Sequence, residues 1–355
     1  MVYAFALTTP DPGNITGVDE GLLKDFVDTA KQNVRSINPI IVAGGWSGSQ
    51  YFSTVVSTSD NRTKFISAIL NLVTKYDLDG IDFDSEYPGH QEIGCNVVHS
   101  DDSANFLLLL QDLRKKNPVL EPTAAVVAPF TGPDGNPMTD VSDFAKVLDR
   151  IELMVYDIRS SKTNVGPNAP LSEDWAPSRF QFGSVKPIVA QWTEANFPAQ
   201  QIVLGLAAYG HSYTVTPEAA INQSSRSLNM GGGPAGSSDT PDDLGTDPCG
   251  NPYGLSGVFT FKGLATEGFL EPNGNANHNY AIDPCSSTSF VYDQVTHVMV
   301  SYDDAKSFDS TVQGLKGNFI TENKLAGFAM WDATGDHNDF LLDTLHSAMG
   351  IENCE

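Results

Sequence analysis

Seven apolar runs of strand length recur along the chain, and stretches between them carry apolar residues at helical spacing. The runs are residues 2–7, 39–45, 80–86, 123–128, 152–158, 202–209 and 326–332. Between the second and third, Phe65, Ile66, Ile69, Leu70, Leu72, Val73 and Tyr76 mark a helix behind a Ser59 or Asp60 cap. Residues 19–33, 103–116 and 141–148 show the same period. Strand and helix alternating this often constrain the fold to a parallel sheet with helices outside it. The α/β class with a (β/α)8 barrel follows, one strand being unaccounted for. A doubly wound sheet is the rival. It usually carries a glycine-rich turn after its first strand, and none follows residues 2–7.

One spacing breaks the rhythm. More than a hundred residues separate Tyr209 from Ala326, rich in Gly, Pro, Ser and Asp ("NMGGGPAGSSDTPDDLGTDPCGNPYG"), with short aromatic runs such as "GVFTF" after them. An inserted small α+β module over residues 212–300 is expected, then a last barrel helix over 305–319. Cys249 and Cys285 both lie in the insert, and a disulfide clamping it is expected, although spacing alone does not establish pairing. Gly231–Gly233 has no following Lys or helix and reads as a loop rather than a phosphate cradle.

Acidic residues outnumber basic ones 44 to 20, for a net charge of −24. That field repels nucleic acid and anionic membrane surfaces, so neither is expected as a partner. A neutral or weakly cationic ligand and a monomer are expected instead. No apolar run approaches the eighteen or so residues of a membrane helix. The four cysteines (Cys95, Cys249, Cys285, Cys354) fit no zinc spacing, and neither metal nor cofactor is expected. The opening "MVYAFALTTP" lacks the basic start, long apolar stretch and cleavage site of a signal peptide. Sequons at Asn14, Asn61 and Asn222, with the low pI, point to a secreted, oxidising setting.

The chemistry concentrates in "LDGIDFDSEYPG", residues 78–89. In a strand, residues two apart share a face, so Gly80, Asp82, Asp84 and Glu86 point one way and Ile81 and Phe83 the other. In a barrel the first set points inwards and ends at the C-terminal rim, where active sites of this fold lie. A solvated edge strand would also tolerate the acids, but the flanking periodicity makes this a central strand. A calcium site would need loop geometry that an alternating ladder does not have. Closely spaced carboxylates cannot all ionise; they share protons, and their titrations split apart. One carboxyl kept protonated can act as general acid at a glycosidic oxygen. Glu86, outermost and longest, is the expected acid, with Asp84 and Asp82 as the tuning pair.

"DGIDFDSEYPG" resembles the D-x-x-D-x-D-x-E signature of glycoside hydrolase family 18, the chitinases, which lies on their fourth barrel strand. The resemblance continues in order. "IIVAGGW" is similar to the third-strand S-x-G-G motif, "LMVYD" to the sixth-strand M-x-Y-D, "IVLGLAAYGHSY" to the seventh strand and "GFAMWDATGD" to the eighth. The insert matches the family's chitinase insertion domain in position, and the wording is similar to secreted fungal members. Residues 1–211 would then hold barrel strands two to seven, 212–300 the insertion domain, and 301–355 strand eight with the C-terminal helix. The signal peptide and first barrel strand would lie outside this chain.

The resemblance implies hydrolysis of β-1,4-linked N-acetylglucosamine in chitin or chito-oligosaccharides. In that chemistry the substrate's own N-acetyl oxygen attacks the anomeric carbon, giving an oxazolinium intermediate with retention; the family is an exception to the two-carboxylate scheme. Carried over, Glu86 protonates the glycosidic oxygen and later activates water. Asp84 orients the acetamide, and Asp82 shares a proton with Asp84. Tyr156 hydrogen-bonds the acetamide carbonyl beside Asp157, and Trp331 floors the sugar being cleaved. Trp46, Tyr87, Met154 and Tyr209 either line the cleft or pack in the core. Three positions depart from the family: Ser85 stands where Trp is usual, Val42 replaces the Ser of S-x-G-G, and Arg159 takes a place that relatives often give an aromatic. A catalytically inactive chitin-binding lectin on the same barrel and an endo-β-N-acetylglucosaminidase are the rival readings.

Overall fold

A computed structural model describes residues 1–32, 37–92, 94–159, 165–221, 245–247, 249–253, 256–308 and 315–350. The chain divides into two compact units. One comprises Met1–Leu153, Gln191–Ile202 and Asp247–Asn251; the other comprises Met154–Ala190, Val203–Thr246 and Pro252–Glu355.

The first unit carries parallel strands β1 (Val2–Ala6), β2 (Ile40–Gly44), β3 (Gly80–Asp84), β4 (Glu121–Val126) and β5 (Arg150–Leu153), hydrogen-bonded in that order. Between them run α1 (Glu20–Gln32), α2 (Phe52–Val56), α3 (Ser59–Tyr76), α4 (Asp102–Lys116) and α5 (Ser142–Ala145). Every residue of β2 and β3 is buried. The helix-facing side of β3 explains why: Phe83 meets Phe52 at 6.3 Å and Phe106 at 5.4 Å, both edge-on. Phe106 continues the pile to Phe130 and Phe144. Such rings supply much of the apolar burial that holds helices to sheet. The inner side is tight as well. A Cβ at Gly80 would stand 2.5 Å from the Glu121 carbonyl oxygen, and one at Gly44 (φ 126°) only 2.0 Å from that of Asp84.

The cap of α3 is Thr58, one residue before the expected Ser59 or Asp60. Thr58, in an extended conformation, accepts the Asn61 amide at its hydroxyl. Asp77 ends the helix in the left-handed region. Of the helix expected over 141–148, only α5 is regular.

In the second unit β6 (Ile202–Ala207) pairs in parallel with β14 (Gly327–Trp331). An antiparallel sheet is built from β7 (Tyr209–Thr214), β10 (Val258–Thr260), β11 (Asn279–Asp283), β12 (Thr288–Asp293) and β13 (Val298–Tyr302), in the order β10-β7-β13-β12-β11. Gly245–Thr246 (β8) and Pro252–Tyr253 (β9) form a short separate ladder. Tyr213, Val215, Tyr292 and Met299 form a buried cluster on the antiparallel sheet. The remaining helices are α6 (Val185–Glu194), α7 (Pro217–Ile221), α8 (Phe261–Thr266), α9 (Ala305–Phe308), α10 (Lys316–Glu322) and α11 (Phe340–Ala348).

Four expectations are corrected. The run 202–209 is not one strand: Ala208 passes the chain from β6 into the antiparallel sheet, so Tyr209 opens β7. The run 152–158 is regular only to Leu153. Beyond it Asp157 adopts φ 60°, and the amides of Asp157 and Ile158 donate to Asn168 instead of to a neighbouring strand. The helix expected over 305–319 is represented by α9 and α10, with residues 309–314 outside the described ones. The disulfide joins Cys95 to Cys249, not Cys249 to Cys285. Residues 247–251 belong to the first unit with Cys95, whereas Cys285 sits in the turn between β11 and β12 as a free thiol. Asn222, Gly231–Gly233 and Cys354 lie outside the described residues.

Candidate active site

The expected residues fall into two groups, one in each unit. In the first, β3 presents Asp82 and Asp84 from one face, with exposures of 2% and 7%, and Glu86 follows two residues past Asp84 at 8%. Desolvation penalises the charged form of such groups. Burial, followed by the Glu152 carboxylate, pushes the Asp82 carboxyl up to about 8, against the opposing pull of the Thr123 hydroxyl and Arg150. Thr123, fully buried on β4 directly opposite Asp82, donates its hydroxyl to Asp82 Oδ1. Burial again leads at Asp84, and the Glu86 and Asp82 carboxylates add to it, raising that carboxyl well above the usual range. Asp84 Oδ1 is buried with no hydrogen-bond partner.

Glu86 is held by its backbone. Its amide donates to Ser49 Oγ at 3.1 Å, and the same hydroxyl donates to the Asp84 carbonyl at 2.7 Å. Asn96 Nδ2 donates to the Glu86 carbonyl at 3.0 Å, and the Glu86–Tyr87 peptide is cis. Asn96 is the neighbour of disulfide-bonded Cys95, so the loop after β3 is tied down beside the acid. Tyr87 is half-buried; burial first, then Glu86 and Asp84, pushes its hydroxyl well up. Ser85 lines a cavity of about 10 Å³ with Ser49, Phe52, Ser53, Glu86 and Asn96, room for a single water. Trp46, past the glycines that end β2, is 52% exposed and so is not a core residue.

In the second unit the Tyr156 ring stands 6.1 Å from that of Tyr209 at 73°, and Tyr209 lies 5.9 Å from His211. Asp157 Oδ1 is 2.7 Å from His211 Nε2. Asn168, nearly fully buried, receives the Asp157 amide and donates to the Tyr209 carbonyl at 3.1 Å, so one side chain locks both segments. Tyr209 is buried, and burial, then Asp157 and Tyr156, holds its hydroxyl well above the ordinary phenol range. Met154 is half-buried. Trp331 ends β14 with 38% of its surface exposed, ahead of a cis peptide to Asp332. Arg159 is buried with its guanidinium 3.4 Å over the Phe182 ring, which screens the charge expected from the sequence.

Sequence reasoning missed Ser49, Asn96, Thr123, Glu152 and His211. A signal existed for the last three. Period-two alternation puts Thr123 on one face of its strand with Ala125, Glu152 on the face of Met154 and Tyr156, and His211 on the face of Tyr209. Ser49 and Asn96 act on backbone groups and leave no such pattern. Chemically, the first group offers a buried carboxyl pair that holds protons above the usual carboxylate range, behind a rim carboxyl. The second offers aromatic faces and a carboxylate fixed by a histidine.

Comparison with known proteins agrees. The family model for glycosyl hydrolases family 18 matches residues 1–336. A chitinase-like effector of Moniliophthora roreri is 41% identical over 99% of this chain and 87% of its own. One from Moniliophthora perniciosa is 37% identical over 99% and 81%. The crystal structure of a chitinase from Rhizomucor miehei superimposes with a TM-score of 0.86 at 29% identity, covering 98% of this chain and 93% of that one. The fold class is thus α/β, of the (β/α)8-barrel kind, with seven parallel strands among the described residues and an inserted α+β module.

Proposed function

The chain belongs to family 18 of the glycosyl hydrolases, and from that premise we propose that it hydrolyses β-1,4 N-acetylglucosamine linkages of chitin or chito-oligosaccharides. The observation that carries this reading is the buried Asp82–Asp84–Glu86 ladder, in which burial and neighbouring carboxylates hold a proton on the Asp82–Asp84 pair. Glu86 gives its proton to the glycosidic oxygen and then takes one from water. Asp84 has an unpartnered buried oxygen with which to orient the substrate acetamide as its carbonyl attacks the anomeric carbon. Asp82, ionised while Asp84 holds the proton the pair shares, accepts that proton when positive charge develops beside Asp84. In the same reading Tyr156 hydrogen-bonds the acetamide, Asp157 assists it, and Trp331 offers an apolar face to the pyranose ring. Trp46, Tyr87, Met154 and Tyr209 are assigned to substrate binding.

The protein is proposed to act outside the cell. The Cys95–Cys249 disulfide and the exposed sequon asparagine Asn14 support this. Asn61 is a poorer acceptor, because its Nδ2 already donates to the Thr54 carbonyl and Ser57 Oγ. No helix among the described residues is long and apolar enough to cross a membrane.

Hydrolysis of a fluorogenic chitotrioside by the wild type and Glu86→Gln tests the reading. Activity that vanishes in the variant supports it. Chito-oligosaccharide binding without turnover by the wild type sinks it and establishes a second reading, a non-hydrolytic chitin binder. That second reading is kept because the two Moniliophthora relatives are described as chitinase-like effectors.

A further inference from the structure

β5 sets a second acid beside the β3 ladder. Asp82 lies opposite Thr123 on β4, Thr123 opposite Arg150 on β5, and Ala125 opposite Glu152. On this face the β4 residues level with Arg150 and Glu152 are Thr123 and Ala125, both small, with Glu121 one step further towards the start of the strand. At roughly 4.8 Å per strand, β3 and β5 run about 10 Å apart, a gap that inward-pointing carboxylates narrow. Glu152 has 16% of its side chain exposed. Its cationic partner is shared: Arg150 Nε is 3.5 Å from Glu152, while Arg150 Nη1 is 3.6 Å from Glu121. The charged groups around Glu152 are thus Asp82 and Asp84 from β3, Glu121 from β4, Arg150 from β5 and the Met1 amino group. One guanidinium and one amine face a surplus of carboxylates.

We propose that Glu152 is a positioning residue of this site: its negative charge keeps a proton on the Asp82–Asp84 pair, and so preserves the acid form the reaction draws on. The proposal rests on the hydrolytic reading and extends the ladder to a second strand. After burial, Glu152 is the strongest influence holding the Asp82 proton, and it also acts on Asp84. Burial raises the Glu152 carboxyl too, while Arg150 lowers it. Glu152 touches no substrate in this scheme. It acts through Asp82.

The test uses the full chain with Glu152→Gln, which keeps shape and removes charge, and Glu152→Asp, which keeps charge. Two quantities are followed from about pH 5 to about pH 9: kcat/KM on the fluorogenic chitotrioside and melting temperature. The alkaline limb should move down by about one pH unit in Glu152→Gln and stay in place in Glu152→Asp. The melts give a readout independent of turnover. An acid raised in the folded state loses stability as pH climbs towards its folded value, so lowering it returns stability at high pH. The melting temperature of Glu152→Gln should therefore gain on the wild type as pH rises. The gain should exceed that seen when both proteins also carry Asp82→Asn, where only the raised Glu152 carboxyl itself is removed. A merely structural Arg150–Glu152 ion pair predicts the opposite slope, because the pair is lost where both partners are charged. An unmoved limb, or a melting difference that is flat or falls with pH, overturns the proposal. If the wild type shows no turnover, the hydrolytic reading fails and the melts alone decide whether Glu152 governs the proton.

Discussion

Replacing Ser49 by Ala removes the hydroxyl that fixes the acid through its main chain. Ser49 is 3% exposed, so no bulk water replaces what is lost. On one side the Asp84 carbonyl keeps the Gly45 amide at 2.8 Å, which limits that loss to about 1 kcal/mol. On the other, the Glu86 amide loses its 3.1 Å acceptor in a buried place, a loss of about 1–3 kcal/mol. A net destabilisation of about 2 kcal/mol corresponds, in a chain of 355 residues, to a melting temperature lower by roughly 3 °C. The activity consequence is separable. Ser49 meets no substrate, so KM should stay within about threefold, while a displacement of Glu86 of even ~1 Å lowers kcat by about 10–100-fold. Thermal melts and chitotrioside kinetics measure the two effects. A lowered melting temperature with wild-type kcat, or a change confined to KM, would refute the claim that this hydroxyl positions the acid.

Thr123→Val keeps side-chain volume but takes the donor from Asp82. That hydrogen bond favours the ionised carboxyl, so its loss moves Asp82 above about 8. Stability in the raised acid falls as pH climbs from its unfolded to its folded value, and the variant prolongs the fall. Urea unfolding should therefore show a loss of about 1–2 kcal/mol that is larger at about pH 9 than at about pH 6; a pH-independent loss contradicts the argument. Phe106→Ala opens the aromatic pile between β3 and its helices, where Phe106 meets Phe52 at 5.5 Å and Phe83 at 5.4 Å. It should cost about 3–5 kcal/mol in the same assay, and a loss under about 1 kcal/mol would show that the pile relaxes.

The sequence signal was strong where one period ruled one element. In "DGIDFDSE" alternation separates the carboxylates from Ile81 and Phe83, and β3 realises that separation because both of its faces are buried. The same signal was ambiguous where an apolar run crosses a structural joint. "IVLGLAAYGHSY" reads as unbroken strand, yet the chain changes sheets at Ala208, a residue as apolar as its neighbours. It failed in "RIELMVYD" for a different reason. There Asn168, eleven residues downstream, supplies the partners that end the strand, and a local window carries no trace of it. The Cys95–Cys249 pairing depends on which unit residues 247–251 join, and cysteine spacing does not encode that.

The departures from the family pattern change meaning once register is known. Val42 stands directly beside Asp82 on β2, so the hydroxyl that a Ser would offer there is missing. On the opposite side, β4 brings Thr123 level with Asp82 and supplies a buried hydroxyl. A carboxyl this deeply buried needs a donor from one flank, and which strand provides it matters little to the proton count. Ser85 follows the same logic. Its small side chain leaves a polar cavity edged by Ser49 and Asn96, the two residues that grip the Glu86 backbone. Rigidity around the acid therefore comes from hydrogen bonds and the neighbouring disulfide rather than from a bulky ring at position 85. The supports of the ladder have moved while its carboxylates have not. Substitutions at Ser49 and Thr123 therefore probe how the ladder is supported, separately from the chemistry that Glu86→Gln probes.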